Sequence, residues 1–204
     1  AGQLSSQHSQ NFENWFANTP GLKVVVPSNP YDAKGLLKAA IRDNDPTIFM
    51  ESELMYGDKG IVPEEEYILE IGKANIVREG KDVTLVSFGK FMKIANECAI
   101  EMKKEGVDVE VIDLRSVRPI DYETIITSVK KTNRLVLLEE TWPVASISSD
   151  ISHIVQRNAF DHLDAPIYRV VSKDLPLPYA PTLIEEILPN VKKTIAAINA
   201  VMYR

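Results

Sequence analysis

The sequence predicts an α/β protein in two parts, an incomplete β-α-β unit followed by a compact domain built on a mostly parallel sheet. Two observations carry this expectation. Short β-branched, apolar runs alternate with amphipathic segments of helical period along all 204 residues. The first β-α-β unit alone has too few strands and helices to close a parallel sheet covered on both faces. Neither a repeat nor a low-complexity segment interrupts the alternation.

The elements follow in order. Residues 11–18 place Phe12, Trp15 and Phe16 at i, i+3 and i+4, which predicts a helix with an aromatic face, stopped by Pro20-Gly21. Leu22 to Val26 is too short for a helix and reads as a buried strand. Asn29-Pro30-Tyr31-Asp32 supplies a cap, a proline at the first helical position and an acid in the first turn. The helix it starts runs to about Arg42 and is expected to bury Ala33, Leu36, Leu37, Ala40 and Ile41. A second buried strand covers Thr47 to Glu51 and completes a right-handed crossover. Glycines, a proline and an acidic run from Tyr56 to Glu66 mark a linker.

Beyond the linker, Lys73–Arg78 and Asp82–Phe88 read as strands, and Glu79-Gly80 between them signals a hairpin. A helix from Phe91 to Lys104 aligns Ile94, Ala95, Cys98, Ala99 and Met102 on one face, with Gly106 as its left-handed end. Val109–Asp113 is the next strand, and Asp121 caps a helix carrying Tyr122, Ile125, Ile126 and Val129. Leu135–Leu138 and Ile167–Val171 read as strands, Ile147–Gln156 and Pro189–Met202 as helices.

Composition narrows the function classes. With 45% hydrophobic and 25% charged residues the chain buries an ordinary core. A net charge of −6 with Lys and Arg scattered among acids argues against nucleic acid as a partner. No apolar run approaches a membrane span, and the first residues lack the basic and apolar regions of a secretion signal. One cysteine, Cys98, leaves no internal disulfide, fits a reducing compartment and is expected in the core.

No stretch is a chemical motif by itself: a phosphate-binding glycine loop, zinc spacing and a nucleophile elbow are all lacking. His8, His153 and His162 are scattered. Two readings of His8 stand on the residues alone. It is a solvated loop histidine, or an imidazole held at a strand end with its tautomer fixed by Ser5, Ser6, Gln7, Ser9 and Gln10. The helix end Ala40-Ile41-Arg42-Asp43-Asn44-Asp45 brings exposed carbonyls and two carboxylates together, either a solvated terminus or oxygens for a hard cation. Arg115 and Arg118 follow a strand and are expected to pair with Asp113 and Asp121 rather than clamp an anion. Glu139, Glu140 and Trp142-Pro143 sit at another strand end.

Taken together, "QLSSQHSQNFENWFANTPGLKVVVPSNPYDAKGLLKAAIRDNDP" with "IFMESELMY" resembles the β subunits of thiamine-diphosphate-dependent 2-oxo-acid dehydrogenases, those of the pyruvate dehydrogenase first component above all. "IGKANIVREGKDVTLVSFG", "GVDVEVIDLRSVRPIDYETI", "TNRLVLLEE", "WP", "LDAPIYRV" and "DLPLPYAP" follow in the same order, so the resemblance covers essentially the whole chain. It implies the end of a transketolase-like pyrimidine-binding domain at residues 1–62, a linker at 63–72, and a three-layer α/β/α transketolase carboxy-terminal-like domain with a mostly parallel five-stranded sheet at 73–204. The chain would be the carboxy-terminal two-thirds of a β subunit, the glutamate that activates the cofactor lying upstream.

The resemblance further implies that His8, in the "QHSQ" motif, is catalytic, donating a proton or hydrogen bond beside the thiazolium or orienting the lipoyl group. It implies a potassium ion held by main-chain oxygens at Ala40, Ile41 and Asp43 together with Asp45; some relatives carry asparagine where Asp45 stands, which puts side-chain ligation in question. Thiamine diphosphate and Mg²⁺ would be held mainly by an α subunit in a heterotetramer with a second β subunit. Lipoyl and subunit-binding domains of the acyltransferase would be further partners, in bacterial cytoplasm or the mitochondrial matrix, on the route from glycolysis to acetyl-CoA. The chain departs from the glycine-rich pattern after Trp142-Pro143. A branched-chain 2-oxo-acid or acetoin enzyme is the alternative within the class, transketolase a more remote one. For the isolated chain, a subunit-docking module without catalysis is the competing reading, with 174–181 and the last helix as contact surface.

Overall fold

The computed structural model describes residues 9–204. Eight strands and seven α-helices are described, in two sheets. The first sheet has three strands in the order β2 (Thr47–Phe49), β1 (Lys23–Val25), β6 (Ser116–Arg118). β1 and β2 run parallel and β1 pairs antiparallel with β6. The second has five, ordered β3 (Asn75–Arg78), β5 (Val109–Asp113), β4 (Val83–Ser87), β7 (Leu135–Leu138), β8 (Tyr168–Val170). Only β3 is antiparallel there, so this is the mostly parallel five-stranded sheet the sequence predicts.

The expected β3–β4 hairpin does not form. β5 lies between the two strands, because the parallel β4–β5 pairing occupies the edge that a hairpin would have needed. Gly80 sits where the crossing backbone of Val109 and Glu110 leaves no room for a Cβ. Its N–H donates 3.2 Å to the Glu110 carboxylate. The glycine signal was therefore a close backbone approach, not a two-residue turn.

Three layers surround the five-stranded sheet. On one face α3 (Met92–Lys104) and α7 (Val191–Val201) pack Ala95, Cys98, Ala99, Met102, Ile198 and Val201 onto Leu85, Val111 and Val136. On the other, α4 (Tyr122–Thr132) and α5 (Ile147–Ala159) pack Ile125, Val129, Ile151 and Val155 onto Val86, Ile112 and Leu137. Alternate residues of β4 feed opposite faces, as a pleated strand requires. Thr84, a polar strand residue facing α4, is bonded to Ser128 at 2.6 Å and Thr132 at 2.7 Å, which satisfies its hydroxyl in the core. Caps sit where the sequence places them: Asn29 accepts from the Asp32 N–H, Asp121 from the Thr124 N–H, and Gly106 follows α3 in the left-handed region; Asn133, an unexpected cap, ends α4 in the same conformation. Helix α6 (Pro181–Ile187) is additional to the expected elements; Pro181 occupies its first turn and starts it.

The first helices bury different faces from those expected. α1 covers only Glu13–Ala17, and it is Glu13 and Ala17, one turn apart, that point inward, while Trp15 is 64% exposed. Half-buried Phe12 and exposed Trp15 instead lean on each other with their rings tilted by 50°, centroids 4.7 Å apart. In α2 (Pro30–Arg42) the buried residues are Asp32, Gly35 and Leu36, and Leu37 and Ile41 face solvent. The cause is the segment after β2: Leu69 N–H donates to the Gly35 carbonyl and the Tyr67 ring stacks on Tyr31, so the covered face of α2 is the one carrying Gly35.

The first unit is tied to the second through charge. Arg115 pairs with Asp32 through two bonds, Nε to Oδ2 at 3.0 Å and Nη2 to Oδ1 at 2.7 Å, the carboxylate being 1% exposed. The expected Arg115–Asp113 and Arg118–Asp121 ion pairs are not the arrangement found. Asp113 accepts from the Ser28 hydroxyl and the Arg115 backbone N–H, and Asp121 from the N–H groups of Ala74 and Thr124. Backbone donors thus hold both carboxylates before a guanidinium reaches them. Asp32→Ala, which leaves the half-buried guanidinium without its carboxylate, is expected to lower stability by about 1–3 kcal/mol, read as a drop in the urea midpoint at unchanged slope.

Candidate functional site

The carboxyl ends of strands from both sheets converge on one cavity of about 200 Å³. Val26 and Pro27 follow β1, Met50 to Leu54 follow β2, Phe88 to Phe91 follow β4, and Glu140 follows β7; Gln10, Asn11 and Glu13 close it. This is where parallel α/β sheets build sites, because the strands end together and their loops diverge. Gly89 makes the wall possible: its φ is +55° and a Cβ would approach the Val26 side chain to 2.9 Å.

The charged residues of the cavity form one cluster. Lys90 Nζ lies 2.7 Å from Glu140 Oε1, and Asn11 Nδ2 donates 3.2 Å to Glu140 Oε2, so both oxygens of that carboxylate are engaged. Glu51 and Glu53 also line the cavity. Glu139, one residue before Glu140, is buried and accepts from the Ser148 N–H at 2.9 Å, which caps the start of α5. Against this negative surround lies Glu13, 4% exposed, whose Oε2 has no hydrogen-bond partner among the described residues. Burial pushes its carboxyl up to about 8, Glu140 and Glu139 add to the rise, and its own backbone N–H and Lys90 oppose it. A carboxylic acid that is neutral at neutral pH can donate a hydrogen bond or a proton, which an ordinary glutamate cannot.

A second perturbed carboxyl lies behind the cavity. Burial raises Asp113 to about 6, opposed by the Ser28 hydroxyl and the Arg115 N–H. Cys98, buried as the sequence predicts, is held as a thiol, pushed up to about 12 by burial.

The residues singled out from the sequence fall as follows. His8 lies outside the described residues, and Gln10 and Asn11, two and three positions after it, line the cavity. Ala40, Ile41, Asp43 and Asp45 lie at the end of α2. There Lys23 Nζ takes both carboxylates, Asp43 at 2.6 Å and Asp45 at 3.1 Å, and Asp43 in addition accepts from the Asp45 N–H. The Lys23 ammonium holds Asp43 below the usual carboxylate range. Side-chain ligation of a cation therefore does not fit, whereas main-chain carbonyls at a helix end keep the right chemistry. Among the described residues, no group of three or more His, Cys, Asp or Glu is placed to hold a metal ion. Nor is any helix among them long and apolar enough to cross a membrane. Glu13, Lys90 and Glu140 did not emerge together from the sequence. Glu13 is flanked by aromatic residues that looked like the buried face, and only its four-residue spacing to Ala17 hinted otherwise.

Comparison with known proteins gives the family. Residues 1–59 match the transketolase pyrimidine-binding domain and residues 72–194 the transketolase carboxy-terminal domain. The chain is 51% identical, over its whole length and 45% of the relative, to the pyruvate dehydrogenase E1 component subunit beta of Rhizobium meliloti. It is 48% identical, over 95% of the chain and 57% of the relative, to the acetoin:2,6-dichlorophenolindophenol oxidoreductase subunit beta of Bacillus subtilis. It is 46% identical, over all of the chain and 55% of the relative, to a mitochondrial pyruvate dehydrogenase E1 component subunit beta-2 of Oryza sativa. The chain thus spans about half the length of these relatives. A solved split-gene transketolase, described as an inactive beta4 tetramer, shares the fold with a TM-score of 0.81 at 23% identity, covering 97% of this chain and 63% of that one.

The Glu13 environment sets a pH dependence. The folded state keeps the Glu13 proton to about pH 8, whereas the unfolded chain releases it near 4.5. Across that window the native state binds one more proton, so stability falls with rising pH, by up to about 1.4 kcal/mol per pH unit from this group. Glu13→Gln keeps a neutral, similarly shaped side chain and is expected to remove that slope. Urea unfolding of the two proteins should coincide below about pH 4 and favour the variant at pH 8.

Proposed function

This chain belongs to the transketolase family, and from that premise we propose that it serves in the β subunit of a pyruvate dehydrogenase that decarboxylates pyruvate on thiamine diphosphate and passes the acetyl group to lipoyl groups of an acyltransferase. The observation that carries this reading is identity of 51% running along the whole chain to a relative of that name. The cleft at the strand ends supports it, since it offers a buried, unpartnered carboxyl oxygen to a ligand shared between the two parts of the chain. The 48% identity to an acetoin oxidoreductase subunit supports a second reading, in which the same machinery acts on acetoin.

In this reading residues 1–62 belong to the pyrimidine-binding domain, 63–72 to a linker and 73–204 to the carboxy-terminal domain. The family resemblance assigns the diphosphate and its Mg²⁺ to an α subunit in a heterotetramer with a second β subunit. Thiamine diphosphate, when bound, supplies the carbanion chemistry. This chain's part is position and electrostatics. His8, just before the residues that close the cavity, gives its proton to an oxygen of the substrate or orients the lipoyl ring. Lys90 and Glu140 fix the cleft's charge. A potassium ion at the end of α2 would be taken by main-chain oxygens of Ala40, Ile41, Asp43 and Asp45, the side chains of Asp43 and Asp45 being committed to Lys23. Acyltransferase lipoyl and subunit-binding domains are the macromolecular partners.

The test is reductive acetylation of a lipoyl domain by the assembled α and β subunits, with pyruvate and with acetoin as competing substrates. His8→Ala is expected to lower turnover with pyruvate by about 10²-fold or more without changing the thermal midpoint of the assembly. Unchanged turnover removes His8 from the reaction, and a preference for acetoin selects the second reading.

A further inference from the structure

Glu13 is a buried side chain that the reaction as set out above does not use. Its Oε2 is unpartnered, although a buried carboxyl oxygen without a hydrogen bond is costly and rare. Its neighbours within electrostatic reach, Glu139 and Glu140 beyond β7 and Lys90 beyond β4, place the carboxyl on the cavity side of α1. Glu51 and Glu53 face the same space from the segment after β2. Lys90 is already engaged by Glu140. A proton on Glu13 removes a charge that this surround would repel, and on Oε2 it leaves an O–H with no acceptor among the described residues.

We propose that Glu13 is a proton-donating residue of the cleft, its free Oε2 meeting an oxygen atom of the 2-oxo acid that enters the cavity beside the Lys90–Glu140 pair. The step is balanced within the cleft. The O–H bond on Glu13 breaks, an O–H bond forms on the substrate oxygen, and the carboxylate left behind is attracted by the Lys90 ammonium until water returns a proton. The alkaline limb follows: burial and the two neighbouring carboxylates keep the proton on Glu13 up to about pH 8, above which the donor is spent. The identity of the substrate rests on the function proposed above; the protonation of Glu13 does not.

The assembled α and β subunits decide it, by infrared difference spectroscopy and by pH-dependent kinetics. A neutral carboxylic acid band is expected at pH 7, lost with a midpoint near pH 8 and absent in Glu13→Gln; added pyruvate should shift it. Glu13→Gln should lower kcat by about 10²-fold with KM little altered, and Glu13→Asp, which retains the acid but withdraws it, should restore part of the rate. A thermal midpoint of Glu13→Gln at or above the parent's at pH 6 separates this from unfolding. A carboxylate already ionised at pH 7, a band indifferent to pyruvate, or a Glu13→Gln enzyme within twofold of the parent overturns the proposal. An assembly with no turnover of any 2-oxo acid overturns the proposed function instead, and the infrared titration with its pyruvate response still judges Glu13.

Discussion

The bidentate pair between Asp32 and Arg115 is the constraint on which the arrangement of the two sheets depends. Asp32 stands in the first turn of α2, in the first unit, and Arg115 stands just after β5, in the second. A buried carboxylate is tolerated only with its charge answered and its lone pairs filled. Here the guanidinium fork answers both oxygens, and the Arg115 carbonyl accepts from the Val26 N–H at 2.8 Å. Ser28 donates to Asp113 in the same place. These contacts fix β1 against β5 and carry β6 across to pair with β1, so the three-stranded sheet takes one of its strands from beyond the five-stranded one. Arg115 adopts φ +58° to do this, a conformation that a residue without such contacts would leave.

Once the sheets are so joined, their carboxyl ends share one space. No single strand end makes the cleft, because its walls come from β1, β2, β4 and β7 at once. That origin explains its composition. Strand ends bring polar turns, α1 closes the opening with only five residues, and a helix so short has no long apolar face with which to seal it. Of the two inward positions on α1, Ala17 packs into the core with Val24 and Val117, and Glu13 is the one that reaches the cavity, beside Gln10 and Asn11. The cleft therefore contains a titratable group as a direct result of how short the closing helix is.

How much of this was legible in the sequence depends on which forces decided each element. Helices α3 and α4 and the strands β4, β5 and β7 were readable because both faces of the sheet are covered, so periodicity and burial coincide, as the row Ala95, Cys98, Ala99 and Met102 shows. α1 and α2 were misread on their buried faces because they sit where the covering partner is a loop or another segment rather than a full sheet face. There, Gly35 under Leu69 outranked Leu37 and Ile41. Gly80 carried a turn signal for what is a close backbone crossing. Arg115 was rightly marked as an ion-pair residue but given the wrong partner, since Asp32 is 83 positions away and only the tertiary fold brings it near. The expected potassium ligands and His8 were reached through family resemblance, whereas the Glu13–Glu140–Lys90 cluster is drawn from α1 and from the segments after β7 and β4 and leaves no local pattern.

The two perturbed carboxyls differ in what holds them, and the difference separates structure from chemistry. Asp113 is buried as deeply as Glu13, yet it is met by a hydroxyl and a backbone N–H, and burial moves it only to about 6. It is a carboxylate at neutral pH and serves as an acceptor within the joint between the sheets. Glu13 has no such donors on Oε2 and faces two further carboxylates, so it keeps its proton through neutrality. Had the fold needed Glu13 only as a structural acceptor, a donor beside it would have stabilised it, as Ser28 does for Asp113. Among the described residues Oε2 meets no donor, and Asn11 and Lys90 are both spent on Glu140, which leaves that oxygen open to an incoming molecule.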